Sequence, residues 1–108
     1  MSETKREAQR AKVLHQMLVD QMVQAGRIHD PRVEAAFRAV PRHPFLPGVE
    51  LARVYQDDAI PTKQMGNLPI SSSSQPTMMA IMLEQLDLQP GQRVLEIGTG
   101  TGYNAALM

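Results

Sequence analysis

Apolar residues recur along this chain at two spacings, and the spacing changes where the candidate chemistry begins. Leu14, Met17, Leu18 and Met22 follow the three-and-four step of an amphipathic helix. The pattern predicts a first helix ending near residue 25, with Ser2 or Thr4 as its cap and Gly26 as its stop. Asp30-Pro31 opens a second, shorter helix, because Asp caps well and Pro at the first position gives up only an N–H that has no helical partner. Val33, Ala36, Phe37 and Val40 form its apolar stripe. Pro41, Pro44 and Pro47 end it and hold PRHPFLPG in an irregular path. A short strand is expected within 54–61, and a turn at Met65-Gly66-Asn67-Leu68-Pro69. Ser74 suits the N-cap of a third helix that has Pro76 in its first turn. Met79, Met82, Leu83 and Leu86 are expected on one face of it. After Gln89-Pro90-Gly91 the period drops to two, and 92–97 reads as a strand with Leu95 and Ile97 on one side and Val94 and Glu96 on the other. A last helix begins near Gly102.

Composition narrows this picture. The 108 residues allow one small domain, and 43% apolar content is enough for a core and too much for a disordered chain. Eleven basic residues balance eleven acidic ones, which argues against a nucleic-acid or membrane-surface partner. The absence of Cys excludes disulfides and thiolate metal sites. MSETKREAQRAK is charged, and no apolar run reaches the length of a signal segment or a membrane span. The expectation is a soluble, cytoplasmic protein. There is no internal repeat, and the Ser run at 71–74 is too short to be low complexity.

The chemistry concentrates in VLEIGTGTGY at 94–103, where a strand meets Gly-x-Gly-x-Gly and a helix start. Glycines let the backbone turn sharply and approach a ligand, and the helix start offers unpaired N–H groups. A phosphate-binding Walker loop needs Gly-Lys-Ser/Thr, and no Lys follows. A dinucleotide loop needs G-x-G-x-x-G, and the third glycine comes one residue early, which argues against NAD. S-adenosylmethionine fits better, since it has no pyrophosphate and its amino-acid end carries an ammonium and a carboxylate. Glu96 would hydrogen-bond the loop or, through water, the ammonium, and the loop N–H groups would take the carboxylate. The plainer alternative is a glycine-rich turn without a ligand.

With these residues in view, the chain resembles the protein-L-isoaspartate O-methyltransferase family. Asp30-Pro31-Arg32-Val33 with Ala36 resembles the family's second helix. Val40-Pro41-Arg42-His43 with Phe45-Leu46-Pro47 resembles its V-P-R-H-x-F-V-P segment, and Tyr55, Asp57 and Ile60-Pro61 its Y-x-D-x-x-I/L-P stretch. Ser74-Gln75-Pro76 resembles its S-Q-P element, and VLEIGTGTGY its first methyltransferase motif, with 18 residues between Gln75 and Val94. The resemblance implies an α/β, Rossmann-like methyltransferase: a helical, Pro-rich extension over 1–70 and the start of the methyltransferase domain over 71–108. It implies methyl transfer from S-adenosylmethionine to an isoaspartyl or Asp carboxylate of a protein or peptide, as in protein repair. It also implies Ser74 as the catalytic-site hydroxyl, Ser72 and Gln75 at the substrate, and Glu96, Gly98, Thr99, Gly100, Thr101, Gly102 and Tyr103 at the cofactor. Helix capping remains the plain alternative for Ser74. In QMGNLPISSSSQP and at Thr77 the chain departs from the family pattern where substrate would be read. Asp in a dedicated peptide therefore stays open as a substrate.

Other residues carry less. His15, His29 and His43 lack metal-ligand spacing and read as surface or hydrogen-bonded histidines. Asp57-Asp58 reads as a solvated turn, with a structural hydrogen bond at Asp57 implied by the resemblance. The eight Met residues read as core or interface filler. The fold resembled needs further parallel strands, so the expectation is an N-terminal part, weak in cofactor binding and inactive alone, completed by a missing C-terminal half or by self-association. A non-catalytic interaction module is the alternative.

Overall fold

The computed structural model describes residues 3–65, 68–98 and 100–108. Helix α1 (Glu3–Gln24) is followed by α2 (Pro31–Ala39), a 3-10 turn (His43–Phe45) and a short α3 (Leu51–Val54). Strands β1 (Ile60–Met65) and β2 (Leu68–Ser73) come next, then α4 (Pro76–Leu86) and α5 (Tyr103–Leu107).

The first two helices form where their patterns place them, but in α1 the buried face is turned from the expected stripe, leaving Met17 half exposed and Leu14 only partly buried. Ala11, His15, Leu18, Val19 and Met22 share the buried face of α1. Its end is a Schellman motif: Gly26 takes φ +71°, its N–H donates to Val23 O at 3.0 Å, and the Arg27 N–H donates to Met22 O at 2.9 Å. The helix begins at Glu3, so Thr4 lies inside it rather than at its cap, and Ser2 lies outside the described residues. Asp30 caps α2, accepting the Arg32 N–H at 2.8 Å, with Pro31 in the first turn. Val33 and Phe37 are buried, with Ala36 and Val40 packed beside them.

The middle of the chain differs from its expected course. The segment expected to hold a strand at 54–61 instead ends a helix at Val54 and enters β1 only at Ile60. Ser71, Ser72 and Ser73 of the Ser run, for which the pattern predicted no element, end β2. β1 and β2 pair antiparallel, Ile60 opposite Ser73 and Pro61 opposite Ser72, with irregular register around Lys63. The connection at Gly66 and Asn67 lies outside the described residues.

Ser74 is not the cap of α4: that position is Gln75, whose own side chain makes no capping bond. Asp57 caps from across the fold instead. Its carboxylate accepts the Thr77 N–H at 2.8 Å and the Thr77 hydroxyl, and its carbonyl accepts from Gln75 Nε2 at 2.9 Å. Asp57 thus makes structural hydrogen bonds, as the resemblance implied, and is half-buried rather than part of a plain solvated turn. On α4 the buried set is Pro76, Thr77, Met79, Ala80 and Leu83. Met82 and Leu86, expected on the same face, are exposed together with Met78 and Ile81. The helix is apolar nearly all round, so one apolar side faces solvent whichever side packs.

The strand expected at 92–97 does not form. Those residues run without a ladder partner among the described residues, and Leu95 and Ile97 are 88% and 91% exposed. A helix satisfies its own backbone, whereas a strand needs a neighbour. Side chains alternate here as the pattern required, with Glu96 half-buried between two exposed neighbours.

Candidate functional site

An open cleft of about 390 Å³ lies where the end of the hairpin, α4, the glycine loop and α5 meet. Ser72 and Ser74 line one side. Glu96, Gly98, Gly100, Thr101 and Tyr103 line the other, with Met79, Met82 and Leu86 of α4 between them. The volume lies within the range of small-molecule sites. Seven of the ten candidate residues are therefore brought to one place.

Three are not. Gln75 turns away to bond Asp57 O. Gly102 faces the core, where a Cβ would meet the Phe45 ring at 3.9 Å. Thr99 lies outside the described residues. Gly98, Gly100 and Gly102 take φ of +74°, +60° and +93°, which makes glycine the residue of choice at each. At Gly98 and Gly100 an added Cβ would meet nothing within 4 Å, so the demand there is on the backbone and not on space.

Glu96 is held by Asn104, whose Nδ2 donates to Oε2 at 3.0 Å. The remaining oxygens, Glu96 Oε1 and Asn104 Oδ1, are buried and have no hydrogen-bond partner. Two buried acceptors at a cleft wall call for a donor, since a buried acceptor left unpaired costs about 1–3 kcal/mol. Asn104 was not legible as a site residue; its place in the first turn of the helix after the loop, bonded to Glu96, is the signal that identifies it.

Tyr103 is more core than cleft. It is buried against Phe37 and Phe45, at centroid distances of 6.4 and 5.7 Å. Burial pushes its phenol well above the ordinary range. The Arg42 guanidinium carbon lies 5.8 Å from the centre of its ring, within cation–π reach.

Behind the cleft is a buried polar network that sequence reasoning missed. Tyr55 Oη accepts the Arg42 and His43 backbone N–H groups at 3.1 and 3.2 Å and lies 2.7 Å from His43 Nδ1. With both lone pairs taken, the hydroxyl proton goes to His43 Nδ1. His15 stacks on Tyr55 at 5.4 Å, and its Nε2–H donates to Phe37 O at 2.6 Å. Burial pushes the Tyr55 phenol up. The side chains of His15 and His43 are thus accounted for by structural bonds. On the outer side, Arg32 joins Asp30 and Asp87 and donates to Leu88 O, pinning the end of α4 to α2.

Comparison with known proteins places the chain among relatives. The family model for protein-L-isoaspartate(D-aspartate) O-methyltransferase matches residues 12–108. The chain is 44% identical over 91 residues to the protein-L-isoaspartate O-methyltransferase of Roseiflexus sp. (strain RS-1), covering 84% of this chain and 39% of that protein. It is 41% identical over 91 residues to the enzyme of the same name from Methanothermobacter thermautotrophicus, covering 84% of this chain and 40% of that one. A solved structure titled protein-L-isoaspartate O-methyltransferase superposes with a TM-score of 0.72 at 38% identity, over 86% of this chain and 29% of its own. The chain thus spans about two fifths of the length of these sequence relatives. Among the described residues, no helix is long and apolar enough to cross a membrane. With a match running from α1 to the last residue, the chain belongs to the protein-L-isoaspartate O-methyltransferase family.

Proposed function

We propose that the cleft is the N-terminal half of the active site of an S-adenosylmethionine-dependent carboxyl methyltransferase acting on isoaspartyl residues in proteins or peptides. The observation that carries this reading is the meeting of Ser72 and Ser74 with Glu96, Gly98, Gly100, Thr101 and Tyr103 around one cleft. S-adenosylmethionine, when bound, supplies a methyl group on a sulfonium, which is a good leaving group. The donor set fits it: the orphaned acceptors on Glu96 and Asn104 suit its ammonium, and exposed Gly98 and Gly100 leave room for close approach. We assign Glu96, Gly98, Thr99, Gly100 and Thr101 to the cofactor, with Gly102 and Tyr103 supporting the loop from behind.

A substrate carboxylate is already a nucleophile at neutral pH, so no strong base is required of the chain. What remains is orientation and exclusion of water. The Ser74 hydroxyl, exposed at the cleft, would donate to one carboxylate oxygen and leave the other free to attack. Ser72 would contribute a second donor. Gln75 would act indirectly, through its bond to Asp57 O. The reading includes a Rossmann-like sheet in which 92–97 becomes a strand once flanked by neighbours, and a cytoplasmic setting.

Two alternatives have specific support. The sequence of QMGNLPISSSSQP and Thr77 departs from the family pattern where substrate would be read, which favours Asp in a dedicated peptide. Exposed Met78, Ile81 and Met82 favour a non-catalytic module that binds a partner through an apolar helix face.

The test incubates radiolabelled methyl donor with an isoaspartyl peptide and a matching Asp peptide. The protein is assayed alone and joined to the remaining portion of the Roseiflexus relative. Base-labile label on the isoaspartyl peptide with the joined protein is expected. Label on the Asp peptide alone favours the reading in which ordinary Asp is the substrate. Label on neither peptide overturns the enzyme reading.

A further inference from the structure

Arg42 is fully buried, at 0% exposure, and is the largest fully buried side chain. Its partners are conspicuous by type: Arg32 and Arg38 meet carboxylates, whereas the described partners of Arg42 are backbone carbonyls. Nη1 donates to Val54 O and Gln56 O at 3.0 and 3.3 Å. Nη2 donates to Asp58 O and Ser74 O at 3.2 and 3.1 Å. Nε has no partner. The guanidinium carbon faces the Tyr103 ring, and burial pushes the group below its ordinary value.

A buried cation without a carboxylate is a costly way to fill a core, and an apolar side chain of similar volume is often as stable. What a guanidinium supplies is direction: a rigid fork of donors in one plane. Here the fork spans the α3–β1 connection, the residue before Gln75, and the first residue of α5. Val54, Gln56 and Asp58 belong to the segment whose Asp57 caps α4. Ser74 is the candidate substrate-orienting hydroxyl, and Tyr103 follows the glycine loop. One side chain therefore touches both walls of the cleft from behind. Neither wall is bonded directly to the other by any hydrogen bond among those described.

We propose that Arg42 is a positioning residue that sets the place of Ser74 relative to the glycine loop, acting through the Ser74 carbonyl and the face of Tyr103. The consequence for methyl transfer rests on the reading of the cleft given above; the geometric claim does not. The chain has no Cys, so Ser72→Cys at one wall and Ala105→Cys in α5, next to Asn104 of the other, allow spin labels, and pulsed EPR reads the distance between them. With Arg42 in place a single narrow distribution is expected. In R42M the distribution should broaden or shift while thermal unfolding remains cooperative. R42K should fail to restore it, because an ammonium cannot span four carbonyls in a plane. An unchanged distribution in a folded variant overturns the proposal. So does loss of cooperative unfolding in both variants, which would make Arg42 a structural residue only. Where the joined protein transfers methyl, R42K should lower kcat, by about a hundredfold for a displacement near 1 Å, and leave the peptide KM nearly unchanged. Absence of transfer with an intact EPR effect would sink the methyltransferase reading alone.

Discussion

The layer formed by α1, α2 and the Arg42–Tyr55 network and the segment 92–98 have similar shares of apolar residues and opposite fates. In the first, Phe37, Val54 and Arg42 are wholly buried, and the carbonyls around Arg42 have found donors. In the second, Leu95 and Ile97 stand in solvent and the backbone has no ladder. The difference lies in what each element needs from outside itself. Helices close their hydrogen bonds internally and ask only for one covered face. A strand buried on both faces asks for two neighbours and two covering layers. The cleft sits on the border between these regions, with Ser74 tied to the settled side and the glycine loop on the open one.

The largest effect that would break this contrast is in the settled layer. Phe37→Ala should lower unfolding free energy by about 3–5 kcal/mol, read by urea denaturation. A loss under 1 kcal/mol would mean that the α1–α2 layer is not the core. Next comes the link between the layers. Asp57→Ala removes the cap of α4 and leaves Thr77 unpaired, and should cost about 2 kcal/mol. Circular dichroism and urea midpoints check it, with Asp57→Asn recovering part of the loss. On the open side, Leu95→Ala and Ile97→Ala should each change stability by less than about 0.5 kcal/mol. A cost like that of Phe37→Ala would show that 92–97 packs in solution as a strand.

The smallest effect is electrostatic. Hydrogen bonds from Arg32 hold the Asp30 carboxyl below its ordinary value. A value depressed in the folded state stabilises above the unfolded-chain value, about 3.9, and that contribution is lost as pH falls through the folded value. Asp30→Asn keeps the cap and removes the charge. Its urea midpoint should therefore lie slightly below that of the Asp30 protein at neutral pH, and the difference should close below about pH 4. A difference that persists at acid pH would assign the effect to the cap and not to the charge.

Local signals made part of this legible. Asp30-Pro31, Gly26 and the glycine loop are read from short-range backbone chemistry, and all three appear where expected. The stripe of α2 followed from its period. That Ser72 and Ser74 share a site with the loop was implied only by the family resemblance, and both line the cleft with it. What failed was set by long-range partners. Ser74 lost the cap of α4 to Asp57, 20 residues from Thr77. The Ser run became a strand because Ile60 and Pro61 lie opposite it. Met82 and Leu86 turned outward because α4 is apolar on more than one side, so periodicity cannot choose its buried face. Arg42 was visible only as a letter in a motif, since a buried guanidinium is known by the carbonyls that fold around it.

The central claim is that the cleft between the Ser run and the glycine loop is the methyl-donor site. The direct measurement is a titration of the 15N-labelled chain with S-adenosylhomocysteine, followed by amide shifts, which report weak binding as well as tight. Shifts concentrated at Glu96, the loop at 98–102, Tyr103 and Asn104, with smaller ones at Ser72 and Ser74, are the predicted result. Saturating shifts elsewhere, or none at millimolar ligand, would contradict it.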